Sequence, residues 1–474
     1  MIKFNINVIE YTKHTQERRT DMQNNKEFLG TEPIGKVLFK LAIPTVAAQI
    51  INMLYNIIDR FYIGDIKDVG SLALTGVGVC MPIIMVVSAF AALISSGGAP
   101  RASIFMGKKE IPQAEKTLGN CFALQIVISV ILTAVLLIFN RDFLLAFGAS
   151  ENTIDYAVDY MNIYAVGTLF VQLTLGMNSF VTAQGFTKIS MLSVAIGAVT
   201  NIIFDPIFIF AFKMGVRGAA LATIISQAIS CVWVVLFLCG KNSLLKLKIK
   251  NFKISPKIIL PCIAVCAATF IMQASESVNS ICFNSSLLKY GGDIAVGAMT
   301  ILTSIMQFAM LPLQGLGQGA QPISSYNFGA QNADRVKKTF KLLLTCSIIY
   351  SVTLWALVML FPKIFVGLFT PDSELIAFTA KALRVYFGAG LLFGVQIACQ
   401  MTFVSLGNAS ASIIVAVMRK FVLLLPLIYI VPSFAADKTI GVYLAEPIAD
   451  IIAVTFTAVL FFFQFRKALK KIKN

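Results

Sequence analysis

Long apolar runs separated by short polar stretches set the pattern of this chain. A helix that crosses the hydrocarbon core of a bilayer needs about 20 mostly apolar residues. Twelve runs reach that length: residues 37–63, 72–97, 117–139, 156–184, 189–212, 217–239, 257–288, 294–322, 339–361, 377–406, 411–434 and 440–465. Backbone groups in lipid must be satisfied within their own segment, so these runs read as helices rather than open strands. The longest exceed a bilayer's thickness and are expected to tilt or project. The predicted fold class is an all-α integral membrane protein with twelve transmembrane helices.

An internal repeat organises the runs. Gly97-x-x-Pro100, followed by Gly107, recurs 222 residues later as Gly319-x-x-Pro322, followed by Gly329. Each copy ends an apolar run and enters a basic loop, with Lys108, Lys109 and Lys116 in one and Arg335, Lys337 and Lys338 in the other. The same offset pairs Tyr164 with Tyr386 and Gly185 with Gly407, and a near offset pairs Gly215 with Gly441. Six helices lie between the copies, an even number, so both have the same orientation. Two parallel six-helix lobes related by an axis along the membrane normal suit alternating access. The expected organisation is a polar cytoplasmic tail (1–35), an N-terminal lobe (36–240), a basic linker (241–256), a C-terminal lobe (257–465) and a basic tail (466–474).

Composition supports the membrane reading. Of 474 residues, 57% are hydrophobic and only 13% charged, against about 25% charged in a soluble domain. The net charge of +16 does not point to nucleic acid, because the cations cluster between apolar runs, as at Lys241, Lys246, Lys248, Lys250, Lys253 and Lys257. Such clusters mark cytoplasmic loops. With the N-terminus inside, the outer loops hold only Lys67, Arg141, Lys213, Arg217, Lys289, Lys363 and Lys438 of the 39 Lys and Arg. Both termini are therefore expected in the cytoplasm. The nine cysteines are scattered and read as small apolar residues. The one histidine, His14, lies in the tail, which argues against a His-based metal or catalytic site. Gly30-Thr-Glu-Pro-Ile-Gly35-Lys36 has the outline of a phosphate loop, but Val37 stands where Ser or Thr is needed.

Charges within apolar helices are expensive, so each is a functional candidate. Asp59 lies near the outer end of the first helix, and Asn201 and Asp205, four apart, share one face of the fifth. Thr223 lies in the sixth at similar depth. Two carboxylates, an amide and a hydroxyl can form a hard-oxygen cation site. Burial disfavours a bare carboxylate, so a proton can take the same place. Two plainer readings stay open: an interfacial pair of Asp59 with Arg60, and Asp205 serving the backbone interrupted by Pro206. In the second half, Arg419 and Asp450 lie at similar depth on antiparallel neighbours and read as a structural ion pair. Glu276 has no cation nearby in sequence, which leaves a substrate or ion role open beside a structural one. Gln49, Met177, Asn178 and Gln307 are cavity candidates from their helix positions.

Taken in order, Ala42-Ile-Pro44, Tyr55-Asn-Ile-Ile-Asp59-Arg-Phe-Tyr-Ile-Gly64, the Gly97–Gly107 loop, Asn201-Ile-Ile-Phe-Asp205-Pro206-Ile and Gly215-Val-Arg-Gly-Ala-Ala-Leu-Ala-Thr223 resemble the multidrug and toxic compound extrusion (MATE) family. The resemblance spans about residues 30–465. It implies two six-helix lobes around a cavity that opens alternately to each side, and export of cationic or amphipathic drugs in exchange for Na⁺ or H⁺. It places the coupling ion at Asp59, Asn201, Asp205 and Thr223, and a helix bend at Pro44. One branch of the family uses a Glu in the seventh helix, matched by Glu276, together with an acid in the tenth. Here residues 385–418 carry no charge, which departs from that branch.

The resemblance thus implies a multidrug antiporter of the cell membrane, not an enzyme. It would need no cofactor and no metal beyond a sodium ion at the four coupling residues, with organic cations or amphipathic drugs and the bilayer as partners and a monomer as the unit. The alternatives are a lipid-linked precursor flippase of similar build and a non-transporting membrane enzyme or receptor. At the repeat offset, Asp59, Asn201 and Asp205 fall on Ile281, Leu423 and Leu427. The ion chemistry is therefore expected in the first lobe alone, with the second supplying mainly cavity wall.

Overall fold

The computed structural model describes residues 28–67 and 69–473. The tail before Phe28, with His14, lies outside the described residues. Twelve helices follow in order. They are α1 (Ile34–Gly64), α2 (Gly70–Gly107), α3 (Ile111–Ala146), α4 (Ile154–Ala183), α5 (Thr187–Ala211) and α6 (Val216–Cys239). The continuous run Pro256–Gly329 supplies α7 (256–291) and α8 (293–329), and α9 is Ala333–Leu360. The bent pair Ser373–Tyr386 and Gly390–Ser405 forms α10, followed by α11 (Ala409–Phe434) and α12 (Lys438–Lys473). Among the described residues, ten helices are long and apolar enough to cross a membrane. The bent pair and the division of Pro256–Gly329 bring the count to the expected twelve.

The division falls at Gly292, with φ 63° and ψ −161°. That region is open essentially to glycine alone, so the chain can reverse there between two spans without a longer loop. The tenth span was expected to be one helix over 377–406. It is bent by 47° around residues 387–389 instead. Side chains of α9 cover the break: Trp355 Nε1 donates to the Gly388 carbonyl at 3.1 Å, and Ser351 Oγ to Leu391 at 3.2 Å. Carbonyls freed at a break within the bilayer need such partners.

The repeat is visible in the backbone. Left-handed residues close α4 and α10 at Gly185 (φ 86°) and Gly407 (φ 68°), and follow α2 and α8 at Lys109 (φ 63°) and Gln331 (φ 58°). Both pairs keep the offset found in the sequence. Even the repeated glycines have reciprocal roles. A Cβ at Gly107 would overlap the Tyr326 carbonyl, and one at Gly329 would overlap the Ile104 carbonyl. Ile104 and Tyr326 are themselves equivalent positions, so α2 and α8 cross backbone to backbone about a pseudo-twofold axis.

Each lobe has its own apolar core, one around Ile63, Tyr160 and Ile224, the other around Phe283, Tyr386 and Tyr443. A third cluster joins the lobes on the side that carries the basic loops, through Leu38, Leu41, Ala320 and Ile323. The hydrogen bonds between lobes lie in the same half of the bundle. Thr45 Oγ1 is 2.6 Å from the Gly315 carbonyl, Gln49 Nε2 is 3.2 Å from Gln318 Oε1, and Ser103 Oγ is 3.4 Å from the Pro322 carbonyl. Arg335 reaches the carbonyls of Leu29 and Glu32 at 3.1 and 2.7 Å. The segment 28–35, expected to be tail, is thus packed. Residues 28–31 form a helical turn, and Leu29 is 1% exposed. This turn overlaps the start of the phosphate-loop outline, and Gly30 packs on the Tyr326 ring.

Candidate functional site

Asp59 on α1, Asn201 and Asp205 on α5 and Thr223 on α6 meet inside the N-terminal lobe. Asp205 is fully buried and Asp59 is 6% exposed. Asn201 Nδ2 lies 3.2 Å from Asp205 Oδ1 and 3.5 Å from Thr223 Oγ1. The Asp59 and Asp205 carboxyls are in side-chain contact with each other. Arg60, by contrast, is exposed. Asp205 turns toward Asn201 and Asp59 rather than the backbone around Pro206. Beyond that proline the helix continues as a π turn, Ile207–Ala211, which accommodates the missing N–H.

Three oxygens in this group, Asp59 Oδ1, Asn201 Oδ1 and Asp205 Oδ2, are buried with no hydrogen-bond partner. Buried polar atoms are nearly always partnered. A set of unpartnered acceptor oxygens attracts a positive charge. Two touching carboxylates repel each other strongly when both are bare. The oxygens suit a hard cation such as Na⁺ or a shared proton. Among the described residues no group of three or more His, Cys, Asp or Glu side chains could hold a metal ion. Tyrosines enclose the pair: Tyr55 lies one turn before Asp59, the Tyr160 hydroxyl lies against Thr223, and the Tyr160 and Tyr164 rings stack at 6.3 Å. A tyrosine in a helix interior carries no charge signal that would mark it as part of such a site in the sequence.

The C-terminal lobe, expected to supply mainly cavity wall, holds a second polar centre, and the expected Arg419–Asp450 pair lies within it. Arg419 Nε is 2.7 Å from Asp450 Oδ1, and its guanidinium is 3.6 Å from Glu446 Oε1. Lys420 Nζ is 2.7 Å from Glu276 Oε1. Glu276 therefore does have a cationic partner, one that sequence distance hid. The helices involved, α7, α11 and α12, are the repeat equivalents of α1, α5 and α6. Arg419 precedes the position equivalent to Asn201, Leu423, by one turn, and lies in a π turn over Met418–Leu424. Glu446 stands four residues before Asp450, the same spacing as Asn201 and Asp205.

The cavity candidates divide. Gln307 is exposed and Gln49 is partly so. Thr300, Ser304, Gln307, Gln314 and Gln318 follow a helical stripe along α8, and the Gln49–Gln318 bond places its lower end on the seam between lobes. Met177 does not line an open surface in this conformation. It is fully buried in the shared apolar cluster, where α4 packs against its neighbours. Asn178 is partly buried and donates to the Ser190 carbonyl at 3.3 Å, which ties α4 to α5. Pro44 lies buried within α1, one residue before the Thr45 bond to α8.

Two six-helix lobes, each with a buried polar centre on corresponding helices, form the architecture of an alternating-access membrane transporter. The MatE family profile matches residues 44–207 and 268–430, one block in each lobe. The chain belongs to the MatE family. Multidrug export protein MepA of Staphylococcus haemolyticus (strain JCSC1435) is 26% identical over 400 residues, covering 84% of this chain and 87% of that protein. MepA of Staphylococcus aureus (strain N315) is 24% identical over 399 residues, covering 84% and 87%. Among solved structures, MATE in the bent conformation superposes with a TM-score of 0.89 at 21% identity, over 95% of this chain and 99% of that one. A multidrug resistance MATE family transporter of the MOP superfamily in an outward-facing conformation gives 0.87 at 21%, over 95% and 99%. These likenesses show that the fold is shared.

Proposed function

We propose that this chain is a secondary multidrug exporter of the cell membrane that moves organic cations or amphipathic drugs out in exchange for Na⁺ or H⁺. Its basic loops and both termini face the cytoplasm, the monomer is the working unit, and the bonded seam is the cytoplasmic gate. On that orientation the lobes are bonded to each other on their cytoplasmic side. The observation that carries coupling is the set of three buried, unpartnered oxygens at Asp59, Asn201 and Asp205. A cation or proton there links α1 to α5, and its loss leaves two carboxylates repelling each other across the same contact. An ion shifts a conformational equilibrium only by its difference in affinity between states, and an α1 that bends near Pro44 can supply that difference. Drugs bind between the lobes, against the polar stripe of α8 and the apolar and methionine side chains around it.

An anionic lipid-linked substrate is disfavoured by the charges of the C-terminal lobe. Its deep cations, Arg419 and Lys420, are both engaged by carboxylates. The test is efflux of a fluorescent cation from proteoliposomes with Na⁺ and H⁺ gradients imposed separately. Asp59→Asn and Asp205→Asn should each abolish gradient-driven efflux. Efflux that survives intact in both variants removes the coupling site, and efflux that needs neither gradient removes antiport.

A further inference from the structure

The C-terminal charge cluster contains three carboxylates, Glu276, Glu446 and Asp450, and two cations, Arg419 and Lys420. With all of them ionised it is one positive charge short of neutral. Its members differ sharply in access. The Asp450 and Glu446 side chains are 2% and 6% exposed and are held by Arg419. The Lys420 side chain is 5% exposed, whereas that of Glu276 is 62% exposed. Lys420 therefore reaches from inside the lobe to the most exposed carboxylate of the cluster. Glu446, bound to the neighbouring Arg419, interacts electrostatically with Lys420. Both cations sit in the π turn of α11, and such turns recur at functional sites.

We propose that Lys420 is a tethered stand-in for the substrate. Its ammonium occupies Glu276 while the cleft is empty. An arriving monovalent organic cation takes Glu276, Lys420 turns back to Glu446, and the cluster becomes neutral. No bond is made or broken; one cation replaces another on the same carboxylate. Lys420 thereby holds drug affinity down, which lets an exporter release its cargo, and it favours singly charged cations over neutral molecules. The inference rests on the export reading above.

The test is the Kd of tetraphenylphosphonium for the purified full chain, together with its transport in proteoliposomes. Removing a tethered competitor should tighten binding, so Lys420→Met is expected to lower Kd about tenfold and to slow turnover. Lys420→Arg should stay near wild type. In a Glu276→Gln background Lys420→Met should change nothing. An unchanged or raised Kd in a Lys420→Met protein that melts like wild type overturns the role of Lys420. If that variant does not fold, Lys420→Gln and the wild type itself carry the test. A cluster short of one charge should bind a bis-phosphonium dication no tighter than the monocation, and tighter binding by more than about tenfold counts against the proposal. A wild type that binds and transports no organic cation removes the export reading and this inference together. Normal wild-type transport with an unshifted Lys420→Met removes the inference alone.

Discussion

A methyl group added at Gly107 would overlap the Tyr326 carbonyl oxygen and stand 2.8 Å from the Ala330 amide nitrogen. Both are backbone atoms of the opposite lobe, so no side chain can swing aside. Gly107→Ala must push α2 and α8 apart or strain them. Overpacking of this kind costs about 1–3 kcal/mol, and the cost falls only on the state in which the seam is closed. When the lobes part on this side, the contact is gone and alanine is tolerated. The closed-to-open ratio should therefore fall by about 5- to 150-fold. The readout is alkylation of a cysteine placed at Gln49, in a chain whose own cysteines have been replaced. Gln49 meets Gln318 across the seam at 3.2 Å, and a thiol there should react faster once the seam opens. Gly329→Ala, whose Cβ would overlap the Ile104 carbonyl, should act in the same direction. Alkylation and transport both unchanged in Gly107→Ala would refute the account of the seam as a tight, state-dependent contact.

Two further substitutions separate structural from mechanistic roles. Arg419→Met leaves Asp450 and Glu446 without their shared guanidinium, and breaking a buried pair costs about 3–5 kcal/mol. The detergent-solubilised protein should melt at a clearly lower temperature, with partial recovery on adding Asp450→Asn. An unaltered melting temperature would mean that the pair contributes nothing to stability. Gly292→Ala meets no atom within 4 Å, so its whole effect is the backbone penalty of φ 63°, about 1–3 kcal/mol. Melting should again register it, and a neutral result would show that the α7–α8 reversal can be made without this conformation.

Apolar run length alone determined the helices, because each span must satisfy its own backbone and face lipid. The offset of the glycines and prolines determined the duplication, since the same caps and crossings recur at Gly185 and Gly407 and at Gly107 and Gly329. Asp59, Asn201 and Asp205 could be picked out because a carboxylate in a greasy helix needs a reason. What the linear order could not supply was who meets whom. Glu276 and Lys420 are far apart in the chain, and only the packing of α7 against α11 brings their charges to 2.7 Å. Constant-offset matching also misled. It set Asn201 and Asp205 against Leu423 and Leu427, while the cations of α11, Arg419 and Lys420, sit about a turn earlier, in a π turn that a residue count does not reveal. The segment 28–35 looked like tail because it follows a polar, charged stretch and precedes the first long apolar run. It is held by partners from the other lobe, Arg335 and Tyr326, whose approach depends on how the lobes close. Local hydrophobicity is written in each stretch of sequence, whereas charge pairing and gate contacts belong to helices far apart in the chain and are decided only when the lobes assemble.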